Sequence, residues 1–252
     1  MRLQNKIALV TGASRGIGRA IALGLAEEGA DLGLNYHENE AAASGLLAQI
    51  QGMGRKACLC KADVSQKKDV TEMVNAVLES FGRIDILVNA AGIYPRSLVA
   101  DTPEDMWDAT MAINLKGVFL CSQAVLATMM KEKGGKIVSI TSGRGTAGAA
   151  RGAHYAASKA GIIAFTKSLA MEVAPYHINV NAIATGTMYT DMLRAGKNEK
   201  EIALIEERTK DPYRLNGIGK PEDVVGTVIY LVTDACAFTT GQVIFMRSPH
   251  WP

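Results

Sequence analysis

From one end of the chain to the other, short apolar runs alternate with longer amphipathic stretches, and this alternation limits the fold more than any other feature. Apolar runs occupy residues 7–10, 30–35, 57–61, 84–88, 136–140, 179–183 and 242–246. Helical periodicity fills 16–28, 39–51, 68–81, 104–131 (broken near its middle), 154–173 and 221–232, the last beginning at Pro221. Runs this short read as strands buried on both faces. Strands separated by helices need crossover connections, which are right-handed, so the pattern predicts a doubly wound, mostly parallel, seven-stranded α/β sheet with helices on both faces. No linker, repeat or low-complexity tract interrupts it, so residues 1–252 read as one domain.

Composition narrows the function. Hydrophobic residues make up 48% and charged residues 21% of 252, enough for a substantial core. Basic and acidic side chains number 27 and 25, for a net charge of +2, a balance that argues against a nucleic-acid or membrane-surface partner. No apolar stretch approaches the roughly 18 residues of a membrane span, and the N-terminus enters a strand without a signal-like apolar region. The expected location is therefore the cytoplasm. Four cysteines form no Cys-x-x-Cys pair and have no His at ligand spacing, so no metal site is expected; Cys58 and Cys60 read as ordinary buried thiols of a strand.

Between the first strand and first helix lies Thr11-Gly12-Ala13-Ser14-Arg15-Gly16-Ile17-Gly18. Glycines there permit a tight turn and close approach of backbone to a pyrophosphate, while the helix start offers unpaired N–H groups and a positive dipole end. This makes the sheet a Rossmann-type dinucleotide fold. The second strand ends Leu34-Asn35-Tyr36-His37-Glu38, without the acid at its tip that would grip a ribose 2′-hydroxyl. Arg15, helped by His37, is the candidate partner of a 2′-phosphate, which favours NADP(H), with NAD(H) the alternative. Asp63-Val64 follows the third strand, where an Asp suits an adenine amino group. Asn89-Ala90-Ala91-Gly92 follows the fourth with small residues for a cofactor to lie against.

On the helix after the fifth strand, Tyr155 and Lys159 stand four apart and share one face. A cation beside a phenol favours the phenolate, so Lys159 is expected to lower the Tyr155 pKa toward useful acid/base work.

With these motifs in this order, the chain resembles the short-chain dehydrogenase/reductase family from Lys6 to about Gly241, and its 3-oxoacyl-carrier-protein-reductase-like branch in general texture. The resemblance rests on the glycine turn, Asp63-Val64, Asn89 to Gly92, Asn114, Ser142 and Tyr155-x-x-x-Lys159. It implies that Ser142, just beyond the fifth strand, holds the substrate oxygen and that Tyr155 moves its proton. By the same resemblance Lys159 binds the nicotinamide ribose, and Asn114 anchors a water relaying protons to Lys159. Gly186, Met188 and Thr190 would meet the nicotinamide end, and the chain would form a homotetramer or dimer. Segment 188–219 would be a substrate lid.

The family usually has Pro-Gly where this chain has Thr185-Gly186, which is expected to loosen that turn. It usually ends Asp-Gly-Gly where this chain continues Arg247-Ser248-Pro249-His250-Trp251-Pro252, which weakens the oligomer expectation. Gly152 and Met171 stand where many 3-oxoacyl-carrier-protein reductases carry Gln and Arg. The preferred reading is thus an oxidoreductase of a small polar ketone, aldehyde or alcohol; the carrier-protein reductase is the alternative, and a non-catalytic nucleotide sensor the alternative of another class. Arg96, Arg144, Arg151 and His154 flank the catalytic positions, as candidate substrate contacts, and Arg144 or Arg151, facing the pocket, would suit a carboxylate, sulfonate or phosphate.

Overall fold

The computed structural model describes residues 1–195, 197–209 and 218–246. Strands β1 (Ile7–Val10), β2 (Asp31–Tyr36), β3 (Ala57–Lys61), β4 (Ile86–Asn89), β5 (Gly135–Ser142), β6 (Ile178–Thr185) and β7 (Val243–Met246) form one sheet. Its order is β3-β2-β1-β4-β5-β6-β7, and every neighbouring pair is parallel. The helices between them are α1 (Gly16–Glu27), α2 (Glu40–Gly52), α3 (Lys67–Phe81), α4 (Glu104–Met111), α5 (Gly117–Glu132), α6 (Arg144–Ala147), α7 (Ala153–Val173), α8 (Asp191–Arg194), α9 (Glu199–Thr209) and α10 (Val225–Val232).

Successive strand residues point to opposite faces, and both faces are apolar, so the sheet divides two cores. Ala8 and Val10 pack on one side with Ile21 and Leu25 of α1, Leu46 and Ile50 of α2, and Val228 and Leu231 of α10. Ile7 and Leu9 pack on the other with Val74 and Val77 of α3, Val125 and Met129 of α5, and Leu169 and Val173 of α7. The strand order reverses between β1 and β4, and such a switch point opens a crevice beyond the strands' C-terminal ends.

Most expected elements form, with boundaries displaced by a few residues. The break in the 104–131 stretch is a five-residue π-turn, Ala112–Lys116, that joins α4 to α5. Together these pieces, Glu104–Glu132, are long and apolar enough to cross a membrane by length and composition, contrary to the expectation that no stretch would be. The reason is packing within the protein: Val118, Leu120, Cys121, Val125 and Met129 of α5 are buried core residues.

Strands β5 and β6 run further than their apolar runs, so Ser142 is the last residue of β5 and lies within it, opposite Thr185 of β6. The turn after β6 is not loosened by losing proline. Thr185 has the N–H and β-branched shape that suit a strand, and it pairs with Met246 as well as Ser142. Beyond it, the Gly186 N–H donates to the Met246 carbonyl at 2.9 Å and the Gly143 N–H to the Thr185 carbonyl at 3.1 Å.

Cys58 also departs from expectation. Residues two apart on a strand share a face, so its sulfur lies 3.9 Å from that of Cys60 on edge strand β3. The hydrogen bond from Cys60 lowers the half-buried Cys58 thiol to about 7 and drives that of Cys60 upward. All four cysteines are free thiols, and no group able to hold a metal occurs among the described residues.

Candidate active site

The glycine turn is built by two close approaches. Gly12 adopts φ +64°, and a Cβ there would stand 2.8 Å from Ala91 Cα, so the loops leaving β1 and β4 touch. A Cβ on Gly18 would lie 2.3 Å from the Gly12 carbonyl oxygen, which presses the start of α1 against the turn. Thr11 and Asn35 hold this arrangement. The Thr11 hydroxyl accepts from the N–H groups of Ala90 and Ala91, at 3.0 and 3.1 Å. The buried Asn35 amide accepts from Gly12 N–H at 3.1 Å and donates to the Cys60 and Ala62 carbonyls. Sequence reasoning missed Asn35 as a builder of this site; its signal was a polar amide in an otherwise apolar strand end.

The first turn of α1 carries no acid, so nothing there opposes an incoming phosphate. Ser14, Gly16 and Ile17 are half-buried at the turn, and Arg15 is exposed. His37 is exposed just past β2, and no acid ends that strand. A cradle that a single Cβ would fill, an acid-free helix start and a cation beside it fit a dinucleotide carrying a 2′-phosphate.

From the turn a cleft of about 380 Å³ runs to the ends of β5 and β6. Its lining includes Ile17, Ala90, Gly92, Ser142, Tyr155 and Lys159. Gly186, Met188 and Thr190 line it as well, and Thr190 lies beside Gly16. Met192 and Leu193 of α8 and Ile205 of α9 close one side of the cleft. Residue 196 and residues 210–217 of the expected lid, and Arg247 to Pro252, lie outside the described residues.

Tyr155 and Lys159 sit one turn apart on α7, with exposures of only 8% and 5%. The Lys159 ammonium is 5.6 Å from the Tyr155 ring centre and donates to the Ile140 carbonyl at 2.9 Å. Burial lowers Lys159 to about 8. The expected lowering of Tyr155 is reversed: burial pushes its phenol up to about 12, against an opposing hydrogen bond from Ser142. Two desolvated groups each resist their charged forms, and the ammonium is turned to a backbone carbonyl.

Asn114, in the π-turn, is wholly buried and clamps the loop after β4. Its Oδ1 accepts from Ile93 N–H at 2.8 Å, and its Nδ2 donates to the Ile93 carbonyl and the Ser158 hydroxyl. That clamp presents Tyr94, which sequence reasoning missed. The Tyr94 ring stacks on Tyr155 at 4.0 Å between centres and 19° between planes. A Cβ on Gly152 would lie 2.7 Å from the Tyr94 ring, so the glycine noted in place of the relatives' Gln is what leaves room for it.

Other expected residues point elsewhere. The Asn89 side chain is buried, donating to Ser122 and Ser139, and so braces β4 against α5 and β5. Val64 is buried against Gly117 at the start of α5. Asp63 accepts from Ser65 N–H at 2.9 Å at the end of β3. Of the substrate candidates, Arg144 lines the cleft. Arg151 is exposed on a turn at φ +58°, outside the lining. His154 is fully buried, donating from Nε2 to the Pro95 carbonyl at 2.9 Å, so it faces away from the reacting positions.

A family model described as short chain dehydrogenase matches residues 6–201. The chain is 42% identical over 241 residues to a 3-oxoacyl-[acyl-carrier-protein] reductase of Synechocystis sp., covering 95% of this chain and 94% of that protein. It is 40% identical over 243 residues to the enzyme of the same name from Staphylococcus epidermidis, covering 96% and 98%. A solved structure of a short chain dehydrogenase from Burkholderia cenocepacia in complex with NADP matches with a TM-score of 0.88 at 36% identity, over 98% of each chain.

Proposed function

Because the chain belongs to the short-chain dehydrogenase family and is an NAD(P)-dependent oxidoreductase of keto and CH–OH groups, we propose that it interconverts a small polar ketone or aldehyde with its alcohol, using NADP(H). The observation that carries this reading is the convergence of Ser142, Tyr155 and Lys159 in one cleft that begins at the glycine turn. In the reductive direction the Ser142 hydroxyl holds the carbonyl oxygen and the Tyr155 phenol gives it a proton. Bound along the cleft, NADP(H) supplies or accepts the hydride at the neighbouring carbon. The phenolate left behind is stabilised by Lys159 and regains its proton from solvent, through a water held with Asn114. Oxidation runs the same steps backwards, with the phenolate as base.

Burial keeps the Tyr155 phenol protonated at neutral pH, so that it holds the proton to be given. The cofactor-facing set in this reading is Gly12, Ser14, Arg15, Gly16, Ile17 and Gly18 for the phosphates, Asp63 for the adenine, and Ala90 and Gly92 for the cofactor's middle, with Val64 and Asn89 bracing these loops from the core. Gly186, Met188 and Thr190 take the nicotinamide, and His37 assists Arg15. The relative solved with NADP supports the phosphorylated cofactor.

A second reading, reduction of a 3-oxoacyl group on a carrier protein, is favoured by the names of the relatives. Against it stand Gly152, which has traded a polar side chain for the Tyr94 ring, and Met171, 73% exposed on α7 where an Arg would dock the carrier. A sensor without chemistry is disfavoured by the intact Tyr155 and Lys159. Exposed Trp107, Phe119 and Met171 on α4, α5 and α7 support a homo-oligomer, and the proposed location is cytoplasmic.

The test is titration with NADPH and NADH, followed by turnover of a panel of polar ketones, 3-oxoacyl thioesters and alcohols. NADPH-preferring turnover of small ketones supports the proposal, and turnover restricted to the thioesters replaces it with the second reading. Arg15→Ala is expected to narrow the NADPH-over-NADH preference by about tenfold or more, the worth of one charge-assisted hydrogen bond.

A further inference from the structure

We infer that Tyr94 determines the size specificity of the cleft, as a fixed aromatic wall that admits only a small group on its side of the reacting carbonyl. The inference deepens the proposed oxidoreductase reading and rests on it for the reaction. It begins from where the ring lies. Tyr94 lines the cleft together with Ser142 and Tyr155, and its ring covers that of Tyr155 at 4.0 Å between centres and 19° between planes. The outer end of the ring reaches Gly152, where a Cβ would stand 2.7 Å from both Cε2 and the hydroxyl oxygen. One side chain thus spans from the loop after β4 to the residue preceding α7, alongside the proton-transferring ring.

A wall excludes only if it does not yield, and the backbone is pinned on both sides of Tyr94. Before it, the Ile93 N–H donates to the Asn114 amide oxygen at 2.8 Å and the Ile93 carbonyl accepts from the amide nitrogen at 3.0 Å. After it, Pro95 has a ring-locked φ, and its carbonyl accepts from His154 Nε2 at 2.9 Å. The Ser97 N–H donates to the Arg151 carbonyl at 3.2 Å. Asn114 and His154 are wholly buried, so breaking their bonds would strand polar groups out of water. The Arg96 guanidinium, 4.9 Å from the Tyr94 ring centre, adds a cation–π contact. His154 and Arg151, expected as substrate contacts, act here by holding the loop that carries the wall.

A ring held this way meets a substrate group as a packed core meets an added methylene. A group that fits gains contact, and one that overlaps must displace the ring or its clamps. The substrate class is therefore a ketone or aldehyde with a small substituent facing Tyr94, and long acyl chains on that side are refused. Gly152 is the enabling residue, because any larger side chain would push Tyr94 out of the stack.

The test reads a ratio between substrates, which a general loss of activity does not move. Wild type, Tyr94→Phe and Tyr94→Ala are compared on methyl acetoacetate and on two analogues, with benzyl replacing either the ketone-side methyl or the ester methyl. Wild type and Tyr94→Phe are expected to favour methyl acetoacetate over at least one analogue by about tenfold or more in kcat/KM. Tyr94→Ala is expected to lose or reverse that preference, chiefly through KM, because the benzyl ring enters the space the phenol leaves. NADPH affinity is expected to stay within about threefold of wild type in both variants. Binding gives the same comparison without turnover. The NADP⁺-loaded enzyme is titrated with butyramide and its phenyl-substituted analogue, and Tyr94→Ala is expected to shift the preference toward the phenyl amide by about tenfold. Ratios unchanged in Tyr94→Ala, with every substrate slowed alike, would make Tyr94 only a support for Tyr155 and overturn the wall. Wild type accepting both benzyl analogues as readily as methyl acetoacetate would overturn it too. No ketone turnover by wild type, or activity persisting in Tyr155→Phe, refutes the reaction reading instead and leaves the amide titration to judge the wall.

Discussion

At the scale of single residues, the pairing of Tyr155 with Lys159 was legible because a phenol and an ammonium four apart on a helix must share a face. Their electrostatics were not, since spacing says nothing of solvent. Lys159 is close to Tyr155, yet burial dominates both, giving about 8 for the amine and about 12 for the phenol. Tyr94 was also illegible, because its ring meets Tyr155 only through a loop clamped by Asn114 from a distant helix. Gly152 held the one clue, a missing side chain close before Tyr155. Gly152→Gln is therefore expected to displace Tyr94 and lower kcat/KM for the small-carbonyl substrate by roughly tenfold or more, as misplacement at a reacting centre does. Steady-state kinetics on the folded variant checks this, and an unchanged kcat/KM would show that the stack is dispensable.

At the scale of elements, alternation located the strands because a parallel strand covered on both faces has to be apolar throughout. Their ends were less legible. Ser142 and Thr185 are polar, yet they belong to β5 and β6 because their neighbours across the sheet extend equally far. The π-turn at Ala112–Lys116 left only a break in periodicity, although it carries the clamp that shapes the site. Within the glycine turn, the contact between Gly18 and the Gly12 carbonyl is backbone against backbone and cannot yield by a rotamer change. Gly18→Ala is expected to destabilise the chain by about 1–3 kcal/mol and to weaken NADPH binding. Urea unfolding and cofactor titration together measure both effects; loss of neither would mean the turn is slacker than its geometry.

At the scale of the whole molecule, the seven-stranded doubly wound order was legible because crossover handedness leaves few topologies, and it sets the cleft at the β1/β4 switch point. The buried Lys159 makes that stability depend on pH. Its pKa is about 8 when folded against 10.5 ordinarily, so between those values the unfolded chain binds more protons and stability rises with pH. Tyr155, raised from 10.0 to about 12, acts oppositely above pH 10, where the folded chain binds more protons and stability falls. Thermal melts of wild type and Lys159→Met should therefore differ most in the variant's favour near pH 7, the gap closing as pH approaches 10; a gap independent of pH would contradict a buried charge.

The most direct test of the account is NADPH-dependent ketone reduction by wild type and by Tyr155→Phe, with cofactor affinity measured on both. A loss in kcat of about 100-fold or more with NADPH affinity retained is predicted, because only the transferable proton is removed. Reduction by Tyr155→Phe at the wild-type rate would contradict the assignment of Tyr155 as the acid.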